Sequence, residues 1–312
     1  MQDVTELDLR YQGQPLDTSP QRFGLLCDSG ELAGDGAALR QRMAEDGYLY
    51  MPGLLNRDEV LAARRSVLEA LAGEEALAPE APLMEGRARA GVRMSFRADL
   101  IQENDAIRQV AYAGPMMAFA ECLLGEPVRH FDYTWLRAKS PGPDTATHPH
   151  CDVVYMGRGT RERLFTAWTP LGDVPWALGG LMLLEGSHRR GDKLGSYWDM
   201  DVDTYCGNGP EAAAIRAGEH GWEASKQGGA FDYDAPALAD RFDTRWLSAP
   251  FAAGDVLFFT MHTLHASLDN RTDRFRLSTD TRYQPVSAPA DPRWIGPNPS
   301  GHGRQSKIEM IC

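Results

Sequence analysis

Basic residues are in short supply in this 312-residue chain. Its 32 lysines and arginines are outnumbered by 44 aspartates and glutamates, which gives a formal net charge of −12. Nucleic-acid binding draws its affinity from clustered Lys and Arg, so this balance argues against a nucleic-acid partner. It is compatible with an anionic small molecule, since a basic pocket can form within an acidic surface.

The sequence also lacks long apolar runs and a basic, then apolar, N-terminal leader. No window approaches the roughly 18 apolar residues that a membrane span needs. We therefore expect no membrane partner and a cytoplasmic location. Clustered cysteines are missing as well, because the five present are scattered singly without C-x-x-C spacing, which predicts neither a zinc cluster nor a disulfide framework: Cys27, Cys122, Cys151, Cys206 and Cys312.

The first half of the chain has helical signals. Residues 36–46 have the pattern of a short helix, and Asn56 can cap a second one with Glu59 in the capping-box position. Another helical region covers residues 104–124 and is interrupted by a Gly-Pro pair. We therefore predict a helical N-terminal part over residues 36–126.

From residue 127 onward, short aromatic and β-branched runs alternate with Gly, Pro and Asp. This pattern predicts a mainly β fold with flanking helices, a double-stranded β-helix (jelly roll, cupin-like) with the N-terminal helices packed on one sheet. The predicted strands are residues 128–138, 150–156, 163–169, 180–184, 255–259, 263–268 and 274–283.

We expect one domain over residues 1–312, with the jelly-roll core at 127–284 and a C-terminal tail at 285–312. Strand patterning lapses over residues 188–248, where Gly, Asp, Tyr and Trp accumulate. An irregular segment of that length inside a compact domain usually has a function, such as a lid or a substrate-binding insertion. Its aromatic residues could supply walls of a substrate chamber: Tyr197, Trp198, Tyr205, Trp222 and Phe231.

The main chemical signal is His150-Cys151-Asp152. In an extended segment alternate side chains share one face, so His150 and Asp152 can enter the same cavity. A distant histidine, His262 or His265, would complete a two-histidine, one-carboxylate metal site, which leaves ligand positions open on Fe(II).

The sequence downstream favours His265. Arg276 follows eleven residues later, and a hairpin between residues 263–268 and 274–283 would return it near the metal-bearing strand. A guanidinium there can bind a carboxylate bidentately, as a 2-oxoacid cosubstrate with a second carboxylate would require.

In these features the chain resembles the phytanoyl-CoA hydroxylase-like Fe(II)/2-oxoglutarate-dependent dioxygenases over about residues 36–284. The ordered features are His150-x-Asp152, His265-x-Ser267 and Arg276, together with a tryptophan-bearing strand around Trp168 and a Gly-Ser-His turn. The family's turn usually begins with Pro, whereas Glu185 occupies that place here, a departure that affects a surface turn.

The resemblance implies a role for each of these residues. His150, Asp152 and His265 would ligate iron, Arg276 would pair with the distal carboxylate of 2-oxoglutarate, and Ser267 would hydrogen-bond the same group. Trp168 matches a position that lines the cosubstrate pocket in some members. Fe(II), 2-oxoglutarate and O2 are the implied cofactors. Related halogenases have a small residue at the position of Asp152, so its carboxylate points to hydroxylation or a similar oxidation.

We therefore expect an oxygenase that hydroxylates or otherwise oxidises an unactivated C–H bond of a small organic molecule, such as a natural-product intermediate. One alternative is a cupin-type isomerase or metal hydrolase that uses the same three ligands with another ion. Another is a non-catalytic sensor of 2-oxoglutarate. By strand alternation His148 should point inward as an outer-layer or substrate contact, and His262 should be structural.

Overall fold

In the computed structural model, residues 4–101, 103–218 and 228–312 are described. Trp222, one of the aromatic residues of the insertion that could supply walls of a substrate chamber, lies outside these ranges. The α-helices are α1 Gly36–Asp46, α2 Arg57–Gly73, α3 Asp105–Tyr112, α4 Gly114–Leu124, α5 Val153–Met156, α6 Gly191–Trp198, α7 Ala212–Ala217 and α8 Ala235–Phe242. The strands are β1 Arg10–Tyr11, β2 Gln14–Pro15, β3 Phe23–Leu25, β4 Tyr48–Met51, β5 Val128–His130, β6 Trp135–Lys139, β7 Phe165–Pro170, β8 Leu181–Leu184, β9 Thr204–Cys206, β10 Trp246–Ser248, β11 Val256–Thr260, β12 His265–Ser267, β13 Arg276–Pro285 and β14 Ile308–Met310.

The N-terminal helices begin and end where the local chemistry predicts. Helix α1 ends before Gly47, whose φ of 78° is a left-handed conformation that favours glycine. The side chain of Asn56 caps α2 by accepting hydrogen bonds from the backbone of Asp58 and Glu59. No helix within the described residues is long and apolar enough to cross a membrane.

Two main β-sheets form the centre of the molecule. The larger has the order β4-β11-β7-β13-β5, and β6 also pairs with β13. The smaller has the order β12-β8-β10-β3, in which only the β10–β3 pair is parallel. Residues 246–248, at the end of the predicted insertion, are therefore part of this sheet as β10.

Side-chain alternation gives strand β13 of the larger sheet one largely apolar and one polar face. Leu277 and Tyr283 of β13 belong to the same buried cluster as Val67 of α2 and Phe119 of α4. The alternate residues of β13 are polar or charged and turn to the opposite face. They are Arg276, Ser278, Asp280 and Arg282, all buried.

The strand predicted over residues 150–156 is wrong. His150 forms an isolated bridge with His265, and the chain then turns into α5. Asp152 has φ −65° and ψ −22°, which is helical rather than extended. The apolar run that follows it fits a short buried helix as well as a strand, and periodicity cannot separate the two in so short a segment. The run predicted at 128–138 is likewise divided into β5 and β6.

The C-terminal tail packs against the segment that contains β9. Strand β14 pairs with β9 in parallel. Cys206 and Cys312 form a disulfide between positions 106 residues apart in sequence. This bond joins two of the scattered cysteines, and their spacing did not predict it.

A buried carboxylate reinforces this contact. Asp203 is fully buried and accepts from the guanidinium of Arg293 at 2.5 Å, from His302 Nδ1 at 2.9 Å and from Lys307 Nζ at 2.7 Å. Burial alone would raise the pKa of Asp203, but His302 and Lys307 hold that pKa well below its usual range. Three groups of the tail thus converge on one aspartate.

Replacing Asp203 with asparagine should destabilise the protein by roughly 3–5 kcal/mol at neutral pH, because the buried Lys307 loses its carboxylate partner and Arg293 loses one of its partners. The pKa of Asp203 is lower in the folded state than the value of about 3.9 expected when unfolded. Its stabilising contribution is therefore present above about pH 4 and is lost as the pH falls below that value. Urea unfolding at pH 7 and at pH 3 measures the difference, which should shrink at the lower pH. The control Asp240→Asn, at a side chain 74% exposed, should leave the unfolding midpoint unchanged.

Candidate metal centre

Three of the predicted site residues come together between the two sheets. His150, Asp152 and His265 are all buried, and one ligand atom from each lies within 4.8 Å of the others. Asp152 Oδ1 is 3.8 Å from Nε2 of both histidines. These donors are two imidazoles and one carboxylate, a set suited to a divalent transition metal.

The fold brings the two histidines together through backbone pairing. His150 N donates to His265 O at 3.0 Å, and His265 N donates to His150 O at 2.9 Å. The rings therefore lie side by side, with centroids 4.1 Å apart. Asp152 reaches them because the chain turns into α5 immediately after the bridge. Strand alternation does not position it.

Backbone carbonyls fix the orientation of both imidazoles. His150 Nδ1 is 2.7 Å from the carbonyl oxygen of His148, and His265 Nδ1 is 3.0 Å from that of Thr263. A carbonyl only accepts, so each Nδ1 carries the proton and each Nε2 presents its lone pair. Burial lowers the pKa of His150 to about 3 and also lowers the pKa of His265, which keeps both rings neutral as metal binding requires.

Two residues that were not predicted as site residues hold the carboxylate. Asp152 Oδ2 accepts from Thr166 Oγ1 at 2.5 Å and from Arg282 Nη2 at 2.8 Å. Burial would raise the pKa of Asp152, but Arg282 and the two histidines hold it well below its usual range. The sequence carried one usable signal, since Arg282 is six residues after Arg276 and so shares its face of the strand.

Arg276 lies in the same cavity with donors to spare. Its side chain is 1% exposed, its Nη1 donates to Gly179 O at 3.4 Å, and its Nε has no hydrogen-bond partner among the described residues. Burial lowers the pKa of Arg276 to about 10. A buried guanidinium that has N–H donors without partners fits a carboxylate ligand. The cavity is lined by Arg137, Thr147, His150, Thr166, Trp168, Leu181, Phe259, His265, Arg276, Asp280 and Arg282.

Of the other two predicted cosubstrate contacts, Trp168 lies beside Arg276, whereas Ser267 is not among the residues that line the cavity. The Trp168 ring is 5.6 Å from the Arg276 guanidinium and lines the cavity. Ser267 is fully buried, and its Oγ accepts from Lys139 Nζ at 2.5 Å and from Thr147 N at 2.7 Å. Lys139, which is opposite Arg276 in the β6–β13 register, was not predicted. Burial and the neighbouring Arg276 lower the pKa of Lys139 well below its usual value.

The other two histidines considered from the sequence, His148 and His262, do not join the three converging side chains. Nδ1 of His148 is 2.8 Å from the Tyr11 hydroxyl, and the backbone carbonyl of His148 orients His150. His262 packs edge-on against Trp198, with ring centroids 4.9 Å apart.

Two imidazoles and one carboxylate that converge beside a cavity, together with an arginine that lines this cavity with free donors, define a class, the non-haem metal enzymes that bind an acidic cosubstrate. A family model described as phytanoyl-CoA dioxygenase (PhyH) matches residues 43–278. The chain belongs to the phytanoyl-CoA dioxygenase family.

Curated relatives and solved structures agree with this assignment. The 1-deoxypentalenic acid 11-beta-hydroxylase of Streptomyces exfoliatus is 28% identical over 271 residues, which cover 84% of this chain and 85% of the relative. The epimerase SnoN, solved with Fe3+, alpha ketoglutarate and nogalamycin RO, is 25% identical with a TM-score of 0.53, covering 86% of this chain and 95% of SnoN. The carbocyclase SnoK shares the fold, with a TM-score of 0.57 at 21% identity, covering 82% and 86%. This chain is thus a 2-oxoglutarate-dependent dioxygenase.

Replacing His148 with alanine tests whether its side chain serves the centre. The contact to His150 is made by a backbone carbonyl, which alanine retains. We expect the affinity for Co(II), followed by absorption titration, to change far less than the about 10- to 100-fold typical for loss of a ligand's orienting partner. A loss of tenfold or more would instead give the imidazole of His148 a direct part in binding.

Proposed function

We propose that His150, Asp152 and His265 bind Fe(II), and that Arg276 binds the distal carboxylate of 2-oxoglutarate in an O2-dependent oxidation of a small organic molecule. The supporting observation is that the three ligands converge, and that two of them, His150 and His265, line one cavity together with a buried arginine that has free donors. The two ends of 2-oxoglutarate would thus have separate partners.

The bound metal and cosubstrate supply the oxidising chemistry, and the protein supplies position and a dry interior. Arg276 would orient the cosubstrate through two parallel hydrogen bonds. Trp168 would form one wall of its pocket. Ser267 still has its hydroxyl proton to donate, because the two hydrogen bonds at its oxygen are accepted from Lys139 and Thr147.

The two main sheets support a jelly-roll arrangement around this cavity. We infer that the two sheets form the double-stranded β-helix predicted from the sequence, within one domain over residues 1–312. The pairing of β12 with β8 and of β11 with β7 is antiparallel, as in a jelly roll. The bridge between His150 and His265 extends the edge of the smaller sheet at the metal site.

The substrate class we propose is a natural-product intermediate with an unactivated C–H bond. Proteins similar to this chain act in this area, namely a hydroxylase of 1-deoxypentalenic acid and two enzymes of nogalamycin biosynthesis. The carboxylate of Asp152 would occupy one position on the metal and so favours hydroxylation, or a related oxidation, over halogenation.

Adding Fe(II) and 2-oxoglutarate together under anaerobic conditions should produce the weak visible charge-transfer band of a chelated cosubstrate. Asp152→Ala should abolish the band because the metal loses a ligand. Arg276→Ala should abolish the band because the distal carboxylate of 2-oxoglutarate loses its hydrogen-bond partner. His148→Ala is the matched control and should keep the band. A wild-type protein that shows no band would contradict the proposal.

Under O2, the enzyme with Fe(II) and a suitable substrate should form succinate in step with oxidised product. An isomerase or hydrolase that used the same three ligands would convert substrate without making succinate. A sensor would bind 2-oxoglutarate in calorimetry and turn over no substrate. Quantifying succinate against substrate consumed therefore separates the three functions.

A further inference from the structure

The two oxygens of Asp152 have different surroundings. Oδ2 accepts from Thr166 Oγ1 at 2.5 Å and from Arg282 Nη2 at 2.8 Å. Oδ1 faces the two imidazoles, 3.8 Å from each Nε2. The carboxylate therefore presents one oxygen to the metal site and keeps the other within the protein.

The two donors are held rigidly by the larger sheet. Arg282 on β13 and Thr166 on β7 are direct cross-strand partners, so both side chains leave adjacent positions on the same face. The Arg282 guanidinium lies 4.1 Å from the Trp135 ring centroid, and its Nη1 donates to Asp280 O at 3.2 Å. Only 3% of the Arg282 side chain is exposed.

This arrangement opposes rotation of the carboxylate. If Asp152 turned to give both oxygens to a metal, Oδ2 would leave two hydrogen bonds, one of them to a buried cation. A buried guanidinium stripped of its partner is strongly unfavourable. The geometry thus restricts Asp152 to ligation through one oxygen.

We propose that Arg282 and Thr166 are positioning residues that keep Asp152 a one-oxygen ligand, so that the remaining positions on the metal stay open for cosubstrate and O2. This proposal rests on the proposed function, since it takes the three converging side chains as metal ligands. It assigns to these two residues a role that they exert through Asp152.

The first test compares Arg282→Met with Arg293→Met. Arg293 is a matched control, because its side chain is also 3% exposed, paired with buried aspartates and packed near a tryptophan, yet it touches no proposed ligand. Arg282→Met should weaken Co(II) binding about 10- to 100-fold. It should also diminish the charge-transfer band measured with saturating Fe(II) and 2-oxoglutarate. Arg293→Met should leave both readouts unchanged, even if it unfolds more easily.

The second test uses the smaller partner, whose replacement disturbs the fold least. Thr166→Val keeps the shape of the side chain and removes the hydroxyl, so it should weaken Co(II) binding by several-fold. Thr166→Ser keeps the hydroxyl and should restore the affinity. Equal affinity in the valine and serine variants would overturn the role of Thr166.

The third test removes the carboxylate and returns it from solution. In Asp152→Gly, Arg282 and Thr166 would face the space that the carboxylate occupied, and formate could fill it. Formate should then restore Co(II) binding to Asp152→Gly but not to the double variant Asp152→Gly/Arg282→Met. Equal restoration of Co(II) binding in both variants would contradict the proposal that Arg282 holds the carboxylate.

Failure of the proposed function and failure of the positioning role give different results. If the wild-type protein binds neither Co(II) nor Fe(II) with 2-oxoglutarate, the proposed function is wrong. If the wild-type protein binds them and Arg282→Met binds them equally well with an unchanged band, the positioning role is wrong and the pair is structural only.

Discussion

The burial of charge between the two sheets is the constraint on which the rest of this structure depends. Removing ionised groups from water is costly unless each finds a partner. Arg282 is paired with Asp152, and Arg137 donates to Asp280 at 2.6 Å. Arg276 retains an Nε without a partner among the described residues. The cavity thus contains a positively charged group that can pair with a negatively charged ligand.

Backbone pairing brings the buried charged residues and the two imidazoles together in one site. One face of the larger sheet packs against the N-terminal helices, and the opposite face carries the buried charged residues. Strand β13 therefore contributes to both the hydrophobic core and the cavity. The smaller sheet contributes the imidazoles through the bridge between His150 and His265. Asp152 is the point where the two sheets meet, since it faces the histidines of one and is held by Thr166 and Arg282 of the other.

Features set by local chemistry were predictable from the sequence. The cap at Asn56 and the end of α1 at Gly47 depend on neighbouring residues alone, and both are confirmed. Gathering His150, Asp152 and His265 was also predictable in outcome, although the extended geometry invoked for it was wrong. The apolar residues after Asp152 are compatible with a strand or a helix, and tertiary packing determines that they form helix α5.

Contacts between distant strands were beyond the reach of pattern reasoning. The proximity of Thr166 and Arg282 to Asp152 depends on the β7–β13 register, which no local signal encodes. Lys139 reads as an ordinary strand residue until β6 places it opposite Arg276. The carboxylate of Asp203 acquires its partners only when the tail packs against β9, and that packing joins positions about a hundred residues apart.

The separation of His265 from His150 along the chain has an energetic consequence. The unfolded chain holds these imidazoles far apart, so it contains no preformed centre. A metal that binds only the assembled centre contributes its binding free energy to folding, by an amount that grows with the logarithm of its free concentration. The resistance of this protein to heat or denaturant is then a property of the solution as well as of the sequence, and it changes with whatever controls the supply of free metal.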